Sequence, residues 1–366
     1  LYLPERWPDV TADEIRTLAG KPYSEVAQAV LAPFIARALP AHELQPLLQK
    51  TYDAGAFRHA AHAPLVQIAE NLWILELFHG PTIAFKDYAL QFLGNLFDHV
   101  LEKRGERITI VGATSGDTGS AAIEACRGCR NIDIFILHPK DRVSGVQRKQ
   151  MTTVDAPNVH NIALEGDFDD CQALVKEMFA DEKFRDETRL SAVNSINWAR
   201  IVAQSVYYFT SAIALGAPDR KLSYAVPTGN FGNVFAAHVA RKMGLPIDRL
   251  VIGTNRNDIL TRFFETGAMT RESVNPSLSP SMDIQVSSNF ERYLYGLLDG
   301  DSARLRGMML AFKQGGSFTV SGDELSRART DFTACRSSEE ETLDTMRRVY
   351  AESGYLIDPH TAVGVN

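Results

Sequence analysis

The sequence predicts an α/β architecture of two parallel or mixed sheets covered by helices, on three observations. Apolar runs of strand length alternate with helix-period stretches through the middle of the chain. Those runs are near-continuous, as in strands buried on both faces, and lack the in-out alternation of a wetted sheet. Glycine-rich loops twice join a strand end to a helix start, where open α/β sheets bind ligands.

Taken in order, residues 1 to 50 are helix-rich, and "TADEIRTLA" sets Thr11 as an N-cap with Glu14 as its capping-box partner. "LWILELFHG" reads as a short strand ending at Gly80-Pro81. Beyond Lys86, apolar residues Leu90, Leu93, Leu96, Phe97, Val100 and Leu101 recur at helical spacing until Arg104-Gly105 stops them. "ITIVGAT", "IDIFILHP" and "NVHNIALEG" are strands, with helices at "GSAAIEACRG", "VSGVQRKQMTT" and "DDCQALVKEMFAD" between and after them. A long helix follows at "NWARIVAQSVYYFTSAIALG", and "LSYAVPTGNFGNVFAAHVARKMG" with "RLVIGTN" repeats the strand, glycine turn, helix, strand order. Neither an internal repeat nor a low-complexity linker is visible. The expected division is an N-terminal extension over 1–72 packing on the large domain, a smaller α/β domain over 73–210 and a large one over 211–366.

The 366 residues, 45% hydrophobic and 23% charged, suit a globular protein with a sizeable core. A net charge of −7 without a basic block argues against nucleic acid or an anionic membrane and for a small-molecule ligand. No apolar run reaches the roughly 18 residues of a membrane span and no secretory signal opens the chain, so the expected location is cytoplasmic. Four cysteines do not make a disulfide scaffold in a chain this long. "CRGC" at 126–129 lacks a second ligand pair for zinc, and "HAAH" at 59–62, which places two imidazoles on one face if helical, lacks a carboxylate partner; no metal is expected. The chain begins at Leu1 and stops within "HTAVGVN", and both ends read as trimmed or incomplete.

Lys86 lies between a Gly-Pro turn and a helix start. As a surface charge it is unremarked, but a cation in a first helical turn opposes the dipole, and Ile83, Ala84 and Phe85 before it are apolar. Desolvation favours the unprotonated amine, which is what Schiff-base formation requires. The loop "GATSGDTGSAA" offers Thr114, Ser115 and Thr118 hydroxyls beside helix N–H groups, and fits a carboxylate or a phosphate equally; alone, it is equally a capped turn. "PTGNFGN" at 227–233 can turn successive N–H groups inward as a phosphate nest. Neither loop is a P-loop or a dinucleotide fingerprint, which points to a smaller phosphorylated cofactor. A reactive lysine, a phosphate nest and a further anion loop together make a pyridoxal phosphate site.

"GPTIAFKDYALQ", "GATSGDTGSAA", "NSINWARI", "PTGNFGN" and "SPSMDIQVSSNFER" resemble the threonine synthase family of fold type II pyridoxal phosphate enzymes, over essentially the whole chain. The resemblance implies an active site in the cleft between domains and conversion of O-phospho-L-homoserine and water to L-threonine and phosphate. It implies that Lys86, with Phe85 beside it, joins pyridoxal 5'-phosphate and shuttles protons, and that Gly229, Asn230, Phe231, Gly232 and Asn233 hold the cofactor phosphate. Thr114, Ser115, Gly116, Asp117 and Thr118 would receive the substrate α-carboxylate, with Asp117 near the cofactor's phenolic oxygen. Thr361 in "DPHTAVG" would face the pyridine nitrogen, where a hydroxyl holds a proton less firmly than a carboxylate and leaves the ring a weaker electron sink. Many members of the wider fold group have asparagine at Asp117, which leaves its protonation open.

For the substrate phosphate, Ser195, Asn197 and Arg200 are candidates, with Arg148 and Lys149 as others. Asp283 and Asn289 read as helix caps. The nearest rival is a threonine-synthase-like phospholyase or a serine/threonine dehydratase releasing a 2-oxoacid and ammonia. A non-catalytic binding protein on the same fold is a second, against which Lys86 weighs, and a nicotinamide dehydrogenase a third, which lacks its fingerprint. No regulatory module is visible in the first 50 residues, so a monomer or weak homodimer is expected.

Overall fold

The computed structural model describes residues 1–53, 55–114 and 116–366, and of Asp169 the backbone alone. Backbone proximity divides the chain into two units, one of Lys21–Pro64 with Leu75–Ala203 and one of Leu1–Gly20, Leu65–Ile74 and Gln204–Asn366. The sequence cuts at 72 and 210 treat the first 72 residues as one extension. The division instead gives 1–20 to the unit of the C-terminal half and 21–64 to the unit of Lys86.

The unit of Lys86 is built on four parallel strands in the order Val159–Leu164, Ile132–Pro139, Ile108–Ala113, Leu190–Ser191. Ile110, Ile132, Ile134 and Ile136 point into one core with Leu90 and Leu93 of helix Asp87–Arg104 and Ala121, Ala122 and Ile123 of helix Asp117–Cys126. On a second side, Val111 and Leu137 pack with Cys171. Burial of both faces is why the inner strands Ile108–Ala113 and Ile132–Pro139 carry near-continuous apolar runs, while the edge strand Val159–Leu164 leaves Ile162 exposed. The two helices approach closely at Gly94, where an added Cβ would lie 2.2 Å from the Ala125 carbonyl oxygen.

The other unit carries three parallel strands, Phe332–Arg336, Ile247–Thr254 and Leu222–Pro227 in that order, and an antiparallel pair, Ala268–Thr270 with Ser317–Thr319. Its core is aromatic: Phe231, Phe263, Phe290, Tyr293 and Phe332 are all buried, with Phe231 edge-on to Phe290 at 5.0 Å and to Phe332 at 5.3 Å. The two parallel sheets and the helical start match the predicted class. So does the Thr11–Glu14 capping box, with Thr11 N donating to Glu14 Oε2 at 2.8 Å and Glu14 N to Thr11 Oγ1 at 3.3 Å.

One condition is not met and one local expectation fails. "HAAH" is a turn and not a helix, with His62 at φ 59°, so its imidazoles share no helical face. Within "LWILELFHG" only Leu72–Leu75 is strand, paired with Leu65–Ala69. The ladder ends at Glu76, whose carboxylate lies 2.7 Å from His79 Nε2 and whose N–H turns to the Pro64 carbonyl. Among the described residues no helix is long and apolar enough to cross a membrane, and no cluster of metal-ligating side chains occurs.

Gly94→Ala is expected to destabilise the protein by about 1–3 kcal/mol, since the methyl group meets a helix carbonyl that cannot yield. A urea midpoint equal to that of the parent would show that the two helices separate without cost.

Candidate active site

Lys86 stands at the N-terminal cap of helix Asp87–Arg104 and makes no capping bond there. The turn before it is fastened from inside. Asp87, fully buried, accepts from Thr82 N at 2.9 Å and Thr82 Oγ1 at 2.7 Å, while Gln150 Nε2 donates to the Thr82 carbonyl at 2.9 Å. Ile83 sits at φ 65°, a costly conformation for a β-branched residue, and is 53% exposed. Ile83 therefore does not desolvate the lysine, although its apolar character contributed to that expectation.

The Lys86 ammonium is nonetheless largely enclosed, its side chain 15% exposed, with Asp117 Oδ2 at 3.2 Å and the Phe85 ring centroid at 5.5 Å. Burial pushes its proton affinity below the ordinary lysine value of 10.5, the Asp117 carboxylate pulls it back up, and the Arg200 charge adds to the lowering. Asp87 favours the charged form more weakly, and its own carboxyl is pushed up to about 6 by burial against the Thr82 hydrogen bonds.

Asp117 opens helix Asp117–Cys126, directly after Gly116 at φ 155°, ψ −100°, a conformation that a side chain would make costly. Thr114 holds the turn together. Its hydroxyl accepts from Gly116 N at 3.0 Å and Gly119 N at 2.9 Å and donates to the Gly116 carbonyl at 3.1 Å, so it serves the loop itself. Thr118 is half-buried in the first helical turn, and Ser115 lies outside the described residues.

Asn197 starts helix Trp198–Ala214, its Oδ1 accepting from Ala199 N at 2.9 Å, and Ser195 is half-buried in the turn before it. Arg200 is 3% exposed, and burial pushes its guanidinium down to about 10, which leaves it charged at neutral pH. Arg148 and Lys149 are exposed.

In the other unit the predicted phosphate loop follows strand Leu222–Pro227 and leads into helix Gly232–Lys242. Phe231 takes a left-handed φ of 64° and buries its ring, and no side chain caps the helix. Among the described residues, no N–H of 229–233 donates to a protein acceptor. Its carbonyls, by contrast, are engaged: Ser287 Oγ donates to Gly229 O at 2.7 Å, and Asn289 N and Nδ2 both donate to Asn230 O at 3.1 Å. An added Cβ at Gly229 would lie 2.9 Å from Ile284 Cδ1. Asn233 is fixed by Tyr207 and Tyr208, whose hydroxyls donate to its Oδ1 at 2.6 and 2.8 Å. A run of free N–H groups at a helix start is an anion cradle, and it fits a phosphate.

Thr361, half-buried, donates its hydroxyl and its N–H to Asp358, the cap of helix Pro359–Val365. Burial would raise the Asp358 carboxyl, but hydrogen bonds from His360 and Thr361 outweigh it and hold the group below the usual range. Asn289 stands at the N-cap of helix Phe290–Leu297 without a side-chain capping bond, and Asp283 at the C-cap of the short helix Pro280–Met282. Asn289 supports the phosphate loop, and Asp283 accepts from Asn255, Asn257 and Ser277 in a buried amide-hydroxyl network.

The family described as pyridoxal-phosphate dependent enzyme matches residues 58–309, and the threonine synthase N terminus matches residues 1–52. Threonine synthase of Pseudomonas aeruginosa is 55% identical over 365 residues, covering 100% of this chain and 77% of that one. The chain belongs to the threonine synthase family. Among solved structures, the pyridoxal phosphate-bound threonine synthase from Brucella melitensis superposes with a TM-score of 0.97 at 56% identity, over 100% of this chain and 78% of that one. The yeast threonine synthase superposes at 0.94 with 42% identity, over 100% and 77%. The fold is therefore fold type II, and pyridoxal phosphate is the cofactor of this lyase, which acts on a small molecule. A desolvated lysine and a backbone anion cradle are the donor set that a phosphorylated aldehyde needs, so the residues present fit it.

Sequence reasoning passed over Gln147, Gln150 and Ser287. Gln147 had a readable sign, since "SGVQ" is a capping-box pattern, whereas Ser287 and Gln150 act on carbonyls far away in the chain.

Because burial outweighs Asp117, Lys86 sheds its proton as pH rises through a value below 10.5. Acylation of Lys86 in the cofactor-free chain, followed by peptide mass spectrometry, is expected to show a midpoint below that value. A midpoint above it would mean that the carboxylate wins.

Proposed function

We propose that the protein converts O-phospho-L-homoserine and water into L-threonine and phosphate, the last step of threonine biosynthesis. The observation that carries the reading is the desolvated amine of Lys86 in a chain akin to threonine synthases along its whole length. When bound, pyridoxal phosphate supplies an aldehyde to hold the substrate amine and a ring that withdraws electrons from it.

Lys86 is assigned to the aldehyde at rest and, once displaced by the substrate amine, to the protons of the reaction. Its amine would take the Cα proton, pass it on to the bound cofactor, and only then take a Cβ proton as phosphate leaves Cγ. Cγ is protonated, water adds at Cβ, and Cα regains its proton. An amine with lowered proton affinity suits a group that must accept and release protons in turn.

The N–H groups of Gly229, Asn230, Phe231, Gly232 and Asn233 are assigned to the cofactor phosphate. Thr361 is assigned to the pyridine nitrogen; its hydroxyl proton goes to Asp358, which leaves its oxygen to accept. The helix start at Gly116, Asp117 and Thr118, with Ser115 before it, is assigned to the substrate α-carboxylate, and Thr114 to the support of that turn. Arg200, buried and charged, is the cation for the substrate phosphate, with Ser195 and Asn197 from the segment before it. The reading also makes the protein a cytoplasmic monomer or weak homodimer, in keeping with four free thiols.

Incubation with O-phospho-L-homoserine is expected to yield phosphate and threonine in equal amounts. Phosphate with 2-oxobutyrate and ammonia would sink the synthase reading in favour of a phospholyase. Lys86→Ala is expected to lose about a thousandfold or more in turnover, the scale of a lost proton-transfer group; near-normal turnover would remove Lys86 from the chemistry. For Arg200→Ala, KM for the phosphorylated substrate should rise about ten- to a hundredfold, the scale of a lost charged hydrogen bond. An unchanged KM would place the substrate phosphate elsewhere.

A further inference from the structure

Helix Gly145–Thr152 carries two side-chain amides one turn apart, and each reaches a loop of the lysine site. Gln150 donates to the Thr82 carbonyl, in the turn that carries Lys86. Gln147 donates from Nε2 to Oδ1 of Asp117, the oxygen not turned to Lys86.

The orientation of the Gln147 amide follows from its neighbours. Ser144 caps the helix by accepting from Gln147 N at 3.3 Å, and its hydroxyl donates to Gln147 Oε1 at 3.0 Å. With its oxygen taken by a donor, the amide turns its nitrogen to the carboxylate, which can only accept. The loop opposite leaves room for it. A Cβ on Gly116 would lie 2.3 Å from Gln147 Oε1 and 2.8 Å from Nε2, so the absent side chain makes the seat for the amide.

We propose that Gln147 is a positioning residue that clamps one carboxylate oxygen of Asp117 and thereby holds the other against the Lys86 amine. The clamp favours the ionised carboxylate, because a donor on Oδ1 stabilises the charge that Oδ2 presents to lysine. The charged groups acting on Lys86 are Asp117, Arg200 and Asp87. Arg148 and Lys149, beside Gln147 on its helix, are exposed. Gln147 thus acts through Asp117 on how tightly Lys86 keeps its proton. The inference rests on Lys86 as the cofactor lysine but not on the identity of the substrate.

The test reads Lys86 acylation against pH in the full-length, cofactor-free chain, with folding monitored by circular dichroism. Gln147→Leu is expected to lower the midpoint by about one pH unit, as the carboxylate is released from the ammonium. Gln147→Glu, of the same shape, is expected to raise it, as a second carboxylate joins the first. In an Asp117→Asn background, Gln147→Leu should add no further shift. Folded Leu and Glu variants with the parental midpoint, or a Leu shift that persists without the Asp117 carboxylate, would overturn the proposal. Borohydride reduction of the cofactor-loaded parent separately reports whether Lys86 is the residue that carries the cofactor. A failure of that reading is therefore distinct from a failure of the clamp.

Discussion

The site turns on one amine kept from water beside one carboxylate. Burial without Asp117 would leave nothing to direct the amine, and a full ion pair without burial would hold it protonated. Lys86 lies between these limits, its ammonium 3.2 Å from Asp117 Oδ2 with both side chains mostly enclosed. Much of the surrounding unit preserves that balance. Asp87 and Gln150 fasten the turn before the lysine, and Thr114 fastens the turn before the carboxylate. The parallel sheet and its isoleucine core hold the helices that follow.

The loop at 229–233 treats charge in another way. It offers main-chain N–H groups and no cationic side chain, while Ser287 and Asn289 draw the loop carbonyls aside by donating to them. Its rigidity comes from Phe231, whose buried ring anchors the left-handed turn in the aromatic core. The residue with the unusual backbone is thus also the residue with the largest packing contribution, and strain at the loop is offset by burial beneath it.

The strand and helix order was legible because strands buried on both faces write themselves as unbroken apolar runs, and because loop glycines mark where those runs end. Thr11–Glu14 was legible because both partners are local. Lys86 was legible as a lysine in poor solvent, although the reason proved partly different, since Ile83 faces water. What stayed hidden depends on partners distant in the chain. Gln147 meets a carboxylate 30 residues away, Gln150 a carbonyl 68 away, and Ser287 a carbonyl 58 away. Thr114 left two readings open in the sequence, a ligand hydroxyl or a turn cap, and its hydroxyl serves three neighbouring backbone groups. A motif identifies the residue types of a site before it identifies which of them face inward.

The chain passes between its two units at Gly20–Lys21, Pro64–Leu65, Ile74–Leu75 and Ala203–Gln204, the last inside a helix. Neither unit is a continuous stretch of polypeptide. A ribosome therefore releases Leu1–Gly20 long before most of its unit, Gln204–Asn366, exists. No single scission separates the units into two self-contained fragments, and a cut at either inner junction, Pro64–Leu65 or Ile74–Leu75, would divide both.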